Sequence, residues 1–574
     1  MTENSSENQK QSGWAARFLP ILQWASGYDR DWLRPDLIAG LTVTALVVPK
    51  ALGYAGIAGV PIVYGLYAAA AGAIIYALFG TSRQISTGPS SALAAVAASA
   101  IIATGLSSTE DRIALVAAIT FVTGLLFMLV ALFRMGWISH FLSKAVITGF
   151  LFGAAIEVVI GELSKITGTS VEGANAWQKL FSWFGSLSQT NWLTLIIGLL
   201  SLVLIIGLRF LVPKVPGALV LVVVGIAASI AFGFEELGIA LVGDVPRGLP
   251  SLVIPNFAFV TENLEVILAA SIGLLLIGFA QSAGDARSFA SKHQYWVDIN
   301  QESVAQGMSN LGSGLVQGIP VSTSLSASSL NDSSGAKTPI ASLTTGVLVI
   351  LTLLIFAPLF SSLPKVVLAA LIIDAVVFGM IDITEMRRLY QVMRVDFWIA
   401  VAAILGVLSA GVLAGVIIGI ILSLMWLIYI ASTPKMPILG REPGTQVFRS
   451  LDEFPDSETY PGLLIVRFDG GLFFANADLL LERLSELNRQ ADPKLHTAIL
   501  DFEGINFIDS QGTARIAEIA HHAERRNIEL RFTRVKAEVK EKLRREGVID
   551  QIGEDRIFGN TYEAAADKIS DGVM

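Results

Sequence analysis

Long apolar stretches, free of charge and separated by short polar or basic turns, set the pattern of the first three quarters of the chain. Residues 51–82, 84–109, 113–133, 180–208, 215–234, 266–284, 338–364 and 397–434 contain no Asp, Glu, Lys or Arg. A helix needs about 20 apolar residues to cross a bilayer, so each run holds at least one span, and the first and last have room for two. The pattern predicts about eleven or twelve membrane helices, with residues 302–335 too polar to place. Ahead of the first run, Trp14, Phe18, Leu19, Ile21, Leu22 and Trp24 form an amphipathic stretch suited to the membrane interface. The opening residues lack the basic-then-apolar order of a cleavable signal.

Beyond residue 440 the pattern changes. Gly462–Phe468, Thr497–Phe502 and Ile528–Val535 read as strands, alternating with helices at Ala477–Gln490, Gln511–Arg525 and Lys536–Glu546. Such alternation predicts an α/β domain around a central sheet. Charge marks the same division. Arg441–Met574 holds 18 Lys/Arg and 25 Asp/Glu, almost as many charges as the 440 residues before it. The break near Pro434–Gly440 therefore separates a lipid-facing part from a water-facing one. The expected organisation is a cytosolic segment with an interfacial helix at 1–35, a transmembrane domain at 36–433 and a soluble domain at 441–574.

Net charge and residue types narrow the function. A formal charge of −8 gives no basic face for nucleic acid. The absence of cysteine excludes disulfides, thiolate metal sites and cysteine nucleophiles. His140, His293, His496, His521 and His522 form no ligand pattern, and no G-x-x-x-x-G-K-[ST] phosphate loop occurs. No enzyme, metal or cofactor is expected. Eleven basic residues fall in the loops on the N-terminal side of the membrane and five in the opposite loops, Arg112, Lys165, Lys179, Arg247 and Lys365. That bias places both termini in the cytoplasm of a multi-pass plasma (inner) membrane protein.

Two polar islands interrupt the apolar run and resemble each other: Ile85–Ser91 early, and Val321–Ala327 late. Each reads as a few extended residues followed by a Ser-rich helix start. Extended backbone survives at membrane depth only when it is buried in protein or lines a cavity. Two such elements in corresponding halves point to an inverted-repeat transporter with a midplane site. Chance likeness between small residues in Ala/Ser-rich helices is the bland alternative.

Asp36–Thr42, Val48-Pro49-Lys50-Ala51-Leu52-Gly53-Tyr54-Ala55, Tyr64–Tyr67 and Gly80-Thr81-Ser82-Arg83 together resemble the SulP family of inorganic anion (sulfate/bicarbonate-type) transporters. Ile62 stands where that family usually has proline. The stretch Pro320–Thr338 is also similar to the family, and the likeness runs over nearly the whole chain. The resemblance implies seven plus seven spans in inverted repeat, with a core domain holding two half-helices and a gate domain beside it. It also implies transport by an elevator-like shift of core against gate, a C-terminal STAS domain and a homodimer. The turn Asp509-Ser510-Gln511-Gly512 matches the STAS loop before a helix, with Gln511 where STAS antagonists carry a phosphorylated serine. Ser510 is expected to cap that helix.

The chemistry to expect is anion binding. Opposed helix N-termini at Pro89-Ser90-Ser91 and Ser326-Ala327-Ser328 would offer free N–H groups and dipole fields to a small anion. By the resemblance, Tyr54 walls that site. Lys50 lies about fourteen residues inside the first span, where a charge costs roughly 2.5–3.5 kcal/mol. Relatives often have Gln at this position and a basic residue at that of Ala327, so the cation looks moved from the second half-helix to the first span. The alternative is a buried structural ion pair. Where many relatives place a carboxylate for cation coupling, this chain has Gln281. Asp285, one turn later, could replace it, pair with Lys50 or sit at a helix end beside Arg287. The expected function is a secondary transporter of small inorganic anions, sulfate first and then bicarbonate or chloride, with sodium or a proton as candidate coupling ion. The alternatives are an anion channel, a carrier of organic anions such as dicarboxylates or of nucleobases, and a membrane-anchored signalling protein.

Overall fold

The computed structural model describes residues 19–135, 143–173, 175–213, 215–243, 245 and 248–570. Trp14, Phe18, His140 and Arg247 lie outside them. The chain forms two compact units, Met1–Ser423 and Leu424–Met574.

The first unit is a series of helices run through twice. It opens with α1 (Leu33–Ala58), α2 (Val63–Phe79), β1 (Thr87–Pro89), α3 (Ser91–Thr104), α4 (Thr109–Leu132) and α5 (Lys144–Thr167). A short helix, α6 (Ala176–Ser186), precedes α7 (Trp192–Leu211) and α8 (Gly217–Phe232). The second pass has α9 (Leu264–His293), α10 (Ile299–Leu315), β2 (Val321–Thr323), α11 (Leu325–Ser333), α12 (Ile340–Phe356) and α13 (Lys365–Met380). After α14 (Ile383–Val392) come α15 (Arg394–Ala410) and α16 (Val412–Ser432). The short α6 and α14 occupy the same place in each pass. Setting them aside leaves seven spans in each half. Eight helices among the described residues are long and apolar enough to cross a membrane, and α2, α3 and α8 are shorter apolar helices. α10 and α11 fall in the polar stretch that hydropathy could not place, and α15 shares with α16 the last apolar run, which had room for two spans.

An odd number of spans turns the second half over relative to the first, and the packing follows that symmetry. α4 packs on α9 and α10, as α12 packs on α1 and α2; α5 packs on α15, as α13 packs on α7. α1–α4 and α9–α12 make the core domain, and the remaining spans make the gate domain. Close approach depends on small residues. A Cβ on Gly65 would stand 2.0 Å from the Ala51 carbonyl oxygen, so α1 and α2 cross there only because Gly65 has none.

At the centre of the core domain, β1 and β2 pair antiparallel, Thr87 opposite Thr323 and Pro89 opposite Val321. Backbone polar groups in such a place need partners. Asn310 on α10 supplies two, its Nδ2 donating to the Val321 carbonyl at 2.9 Å and its Oδ1 accepting from Val321 N–H at 3.1 Å. Gln306 Nε2 donates to Thr87 Oγ1 at 3.1 Å, and Ser313 Oγ to the Ile319 carbonyl at 2.8 Å. This is why α10 is too polar to read as a membrane span.

Two buried carboxylates hold turns beside this pair, Glu302 the turn that leads into β1 and Asp36 the turn between α11 and α12. Glu302 on α10 accepts from Tyr76 OH (2.5 Å), Thr81 Oγ1 (2.5 Å), Thr81 N–H (2.8 Å) and Ser82 N–H (3.1 Å). Asp36 on α1 accepts from Lys337 N–H (2.7 Å), Thr338 N–H (3.1 Å) and Thr338 Oγ1 (2.6 Å).

In the second unit β3 (Leu439–Arg441) and β4 (Phe448–Ser450) form an antiparallel pair. β5 (Leu463–Arg467), β6 (Thr497–Asp501), β7 (Glu529–Thr533) and β8 (Ile557–Phe558) form a parallel sheet in that order. Its core centres on Phe502 and Phe532, whose rings lie 4.7 Å apart. The helix Ser510–Arg525 is capped by Asp509 and not, as expected, by Ser510. Asp509 has extended backbone and precedes the first helical residue, so its Oδ1 reaches Gly512 N–H at 2.8 Å, while Oδ2 takes Phe474 N–H at 2.9 Å.

Glu302→Gln replaces a pure acceptor by a group that must present N–H to one of four donors. It is expected to lower stability by about 2–4 kcal/mol, read as a lower thermal midpoint in detergent. Asp509→Ala should cost about 1–2 kcal/mol, checked by denaturant unfolding followed through the far-UV signal.

Candidate functional site

Pro49 interrupts α1 and has no N–H for the Ala45 carbonyl, which loosens the helix where Lys50 emerges. The Lys50 ammonium reaches across the core domain and donates to Ser326 Oγ at 3.0 Å. Ser326 Oγ lies 3.3 Å from Ser324 Oγ, and Ser324 is the N-cap of α11, accepting from Ala327 N–H at 3.4 Å. The half-buried Lys50 ammonium therefore stands at the N-terminal turn of the second half-helix, beside Ala327.

Lys50 sits at the junction of two cavities. A narrow one of about 20 Å³, room for roughly one water, is lined by Lys50, Tyr54, Ser86, Gly88, Pro89, Ser324 and Ala327. A wider one of about 390 Å³ is lined by Thr42, Lys50, Arg209, Ser326, Leu330 and Asp374, among others. Arg209, on α7, donates through Nε to Asp374 Oδ1 at 3.1 Å and through Nη2 to Asp374 Oδ2 at 2.6 Å. The guanidinium carbon lies 4.4 Å from the centre of the Phe378 ring. The charged groups lining this cavity sum to one positive charge, with N–H groups of Lys50 and Arg209 left over.

The other expected site residues fall elsewhere. Ser90 is the N-cap residue of α3, but its side chain caps nothing, and Ser91 engages the Tyr54 hydroxyl. Neither lines the two cavities. Ser328 is fully buried, its hydroxyl accepting from Ser86 N–H at 2.9 Å, so it fastens α11 to the chain entering β1. Asp285 accepts from Thr323 Oγ1 at 2.8 Å and thereby holds β2. Among the described residues no ion pair joins it to Lys50. Gln281 Oε1 is buried without a hydrogen-bond partner.

A model of the sulfate permease family matches residues 33–403, and one of the STAS domain matches residues 454–564. The chain belongs to the sulfate permease family. It is 32% identical over 547 residues to a "Probable sulfate transporter" of Mycobacterium tuberculosis, covering 95% of this chain and 96% of that one. It is 30% identical to "Sulfate transporter 4.1, chloroplastic" of Arabidopsis thaliana, covering 96% of this chain and 82% of that one. Among solved structures, the murine Solute Carrier 26 family member A9 anion transporter in its inward-facing state superimposes with a TM-score of 0.89 at 22% identity, over 98% and 96% of the two chains. The transmembrane domain of the cyanobacterial bicarbonate transporter BicA matches with a TM-score of 0.59 at 23% identity, covering 69% of this chain and 98% of that one.

In this sulfate permease family member the sequence brought out Lys50, Tyr54, Pro89, Ser326 and Ala327, which the fold gathers around the crossing of β1 and β2. It missed the Arg209–Asp374 pair. The signal was present, since Asp374 is the one charged residue between Lys365 and Asp382. A lone carboxylate inside an apolar helix needs a cationic partner. Arg209→Gln would leave Asp374 buried and unpaired, and should cost about 3–5 kcal/mol. The double variant Arg209→Gln/Asp374→Asn should recover most of that loss, as measured by thermal midpoints of the four proteins of the cycle.

Proposed function

We propose that the protein is a secondary transporter of small inorganic anions, sulfate first and then bicarbonate or chloride. The observation that carries this reading is the Lys50 ammonium held against Ser326 at the N-terminal turn of α11. A cation, a helix N-terminus and hydroxyl groups meet there at the edge of a cavity, where a desolvated anion finds charge and N–H donors together. The names of the relatives, sulfate and bicarbonate transporters among them, favour the same class of substrate.

Transport would follow from the division into two domains. Lys50, Tyr54 and both half-helices belong to the core domain, whereas Arg209 and Asp374 belong to the gate domain. A rigid shift of core against gate would carry the anion past Arg209 without disturbing the half-helix site. Sodium or a proton, as coupling ion, would act through Asp285 on β2 by way of Thr323. The STAS domain would support a homodimer in the plasma membrane, with both termini cytoplasmic.

Lys50→Gln should weaken anion binding by about five- to a hundredfold, the equivalent of roughly 1–3 kcal/mol. Lys50→Gln with Ala327→Arg should recover part of the loss by returning the cation to the second half-helix. The test uses purified protein in liposomes, with labelled sulfate, bicarbonate and chloride supplied under imposed proton and sodium gradients. Unchanged affinity in a stable Lys50→Gln protein would end this reading.

A further inference from the structure

α1 runs eight residues beyond Lys50, about 12 Å, before Gly59 caps it. At that end lies a separate cavity of about 580 Å³, between the turn from α1 to α2 and the start of α13. Three cationic side chains line it, Arg112 from α4, Lys165 from α5 and Lys365 from α13, and among the described residues no carboxylate does. These are three of the five basic residues that the loop count placed on the minority side of the membrane, and the fold draws them to one opening.

The three cations are held in different ways. Arg112 donates through Nε to the Leu106 carbonyl at 3.0 Å, which fixes the guanidinium and leaves its terminal N–H groups free. Lys165 is partly neutralised by Glu162 at 2.7 Å. Lys365 is exposed and has no side-chain partner among the described residues; its backbone N–H is tied to the Ala240 carbonyl at 2.9 Å. Val63, Thr109 and Lys365, all lining the cavity, are the first residues of α2, α4 and α13. Among the described residues, three helix N-termini thus add their fields to a surplus of about two charges, offset in part by the C-terminal ends of α1 and α5.

We propose that this basic cavity is a second anion site, at which a small dianion such as sulfate is captured from the face of the membrane opposite the wider Lys50 cavity. The walls come from both domains, the core through Gly59–Val63 and Arg112, the gate through Lys165, Val242 and Lys365. An anion held there waits where a core-against-gate shift would open a way to Lys50. Converging charge at the mouth of a low-dielectric pathway also raises the local anion concentration. The role as a waiting site rests on the anion-transport reading above; the binding itself does not.

The test is equilibrium binding of labelled sulfate to the full-length protein in detergent at low ionic strength. It compares wild type, Lys50→Gln and Arg112→Gln/Lys365→Gln, with Lys365→Gln alone as a variant at an exposed, unpartnered position that should fold normally. Lys50→Gln should retain a class of sulfate binding that salt abolishes. Lys365→Gln should weaken that class about five- to tenfold, and the double variant should lose it. In liposomes Lys365→Gln and the double variant should raise the KM for sulfate supplied on this face and leave the KM from the other face alone. If Lys50→Gln removes all sulfate binding, or if Lys365→Gln and the double variant bind as wild type does, the second site is wrong. If binding survives Lys50→Gln at full strength and falls only with Arg112 and Lys365, the second site stands and the Lys50 reading fails.

Discussion

Extended backbone cannot lie at membrane depth unless every N–H and C=O finds a partner, and much of the first unit meets that demand. β1 and β2 satisfy part of it by pairing with each other. The remainder falls to α10, whose Asn310, Gln306 and Ser313 reach the strands and the turn before β2. Glu302 then holds the turn that delivers β1, and Asp36 the turn by which the chain leaves α11, each as a pure acceptor surrounded by N–H and O–H donors. The same strands set the starting points of α3 and α11. The polar residues of α10 are therefore the cost of placing two helix N-termini in the middle of a membrane domain.

Once the N-termini are there, charge decides what they can attract. Their fields alone would suit an anion weakly, and a full cation nearby strengthens the site at the expense of burial. Lys50 takes that position from α1, with Pro49 loosening the helix and Ser326 Oγ accepting a hydrogen bond from the ammonium. Arg209 answers it from the gate domain, but with its charge largely committed to Asp374. In the proposed site, an uncompensated cation on the core and a neutralised one on the gate would hold an anion more firmly on the domain that is proposed to move.

Much of this was legible in the sequence, for physical reasons that also explain what was not. The likeness between Ile85–Ser91 and Val321–Ala327 was visible because small polar residues inside apolar runs have few structural excuses. Lys50 stood out because charge is rare at that depth. Residues 302–335 stayed unread because hydropathy measures contact with lipid, and α10 spends its polarity on backbone groups contributed by distant segments. The same blindness hid the partner of Asp285, the strand residue Thr323, and the whole pair of Asp374 with Arg209, 165 positions away. Ser328 shows a use of a helix-start serine that sequence does not reveal, since its oxygen accepts from Ser86 N–H and fastens α11 to the chain entering β1. The cap of the helix Ser510–Arg525 slipped by one residue because Asp509 and Ser510 both have capping side chains, and only backbone conformation tells them apart.

The most direct measurement is a structure of the protein with selenate, a heavy-atom stand-in for sulfate located by its anomalous scattering. Selenium within hydrogen-bonding range of the Lys50 ammonium, between Tyr54, Pro89 and the first turn of α11, is the expected result. A fully occupied selenate elsewhere in the first unit, with Lys50 still bonded to Ser326 and no density beside it, would contradict the assignment of the crossing as the anion site.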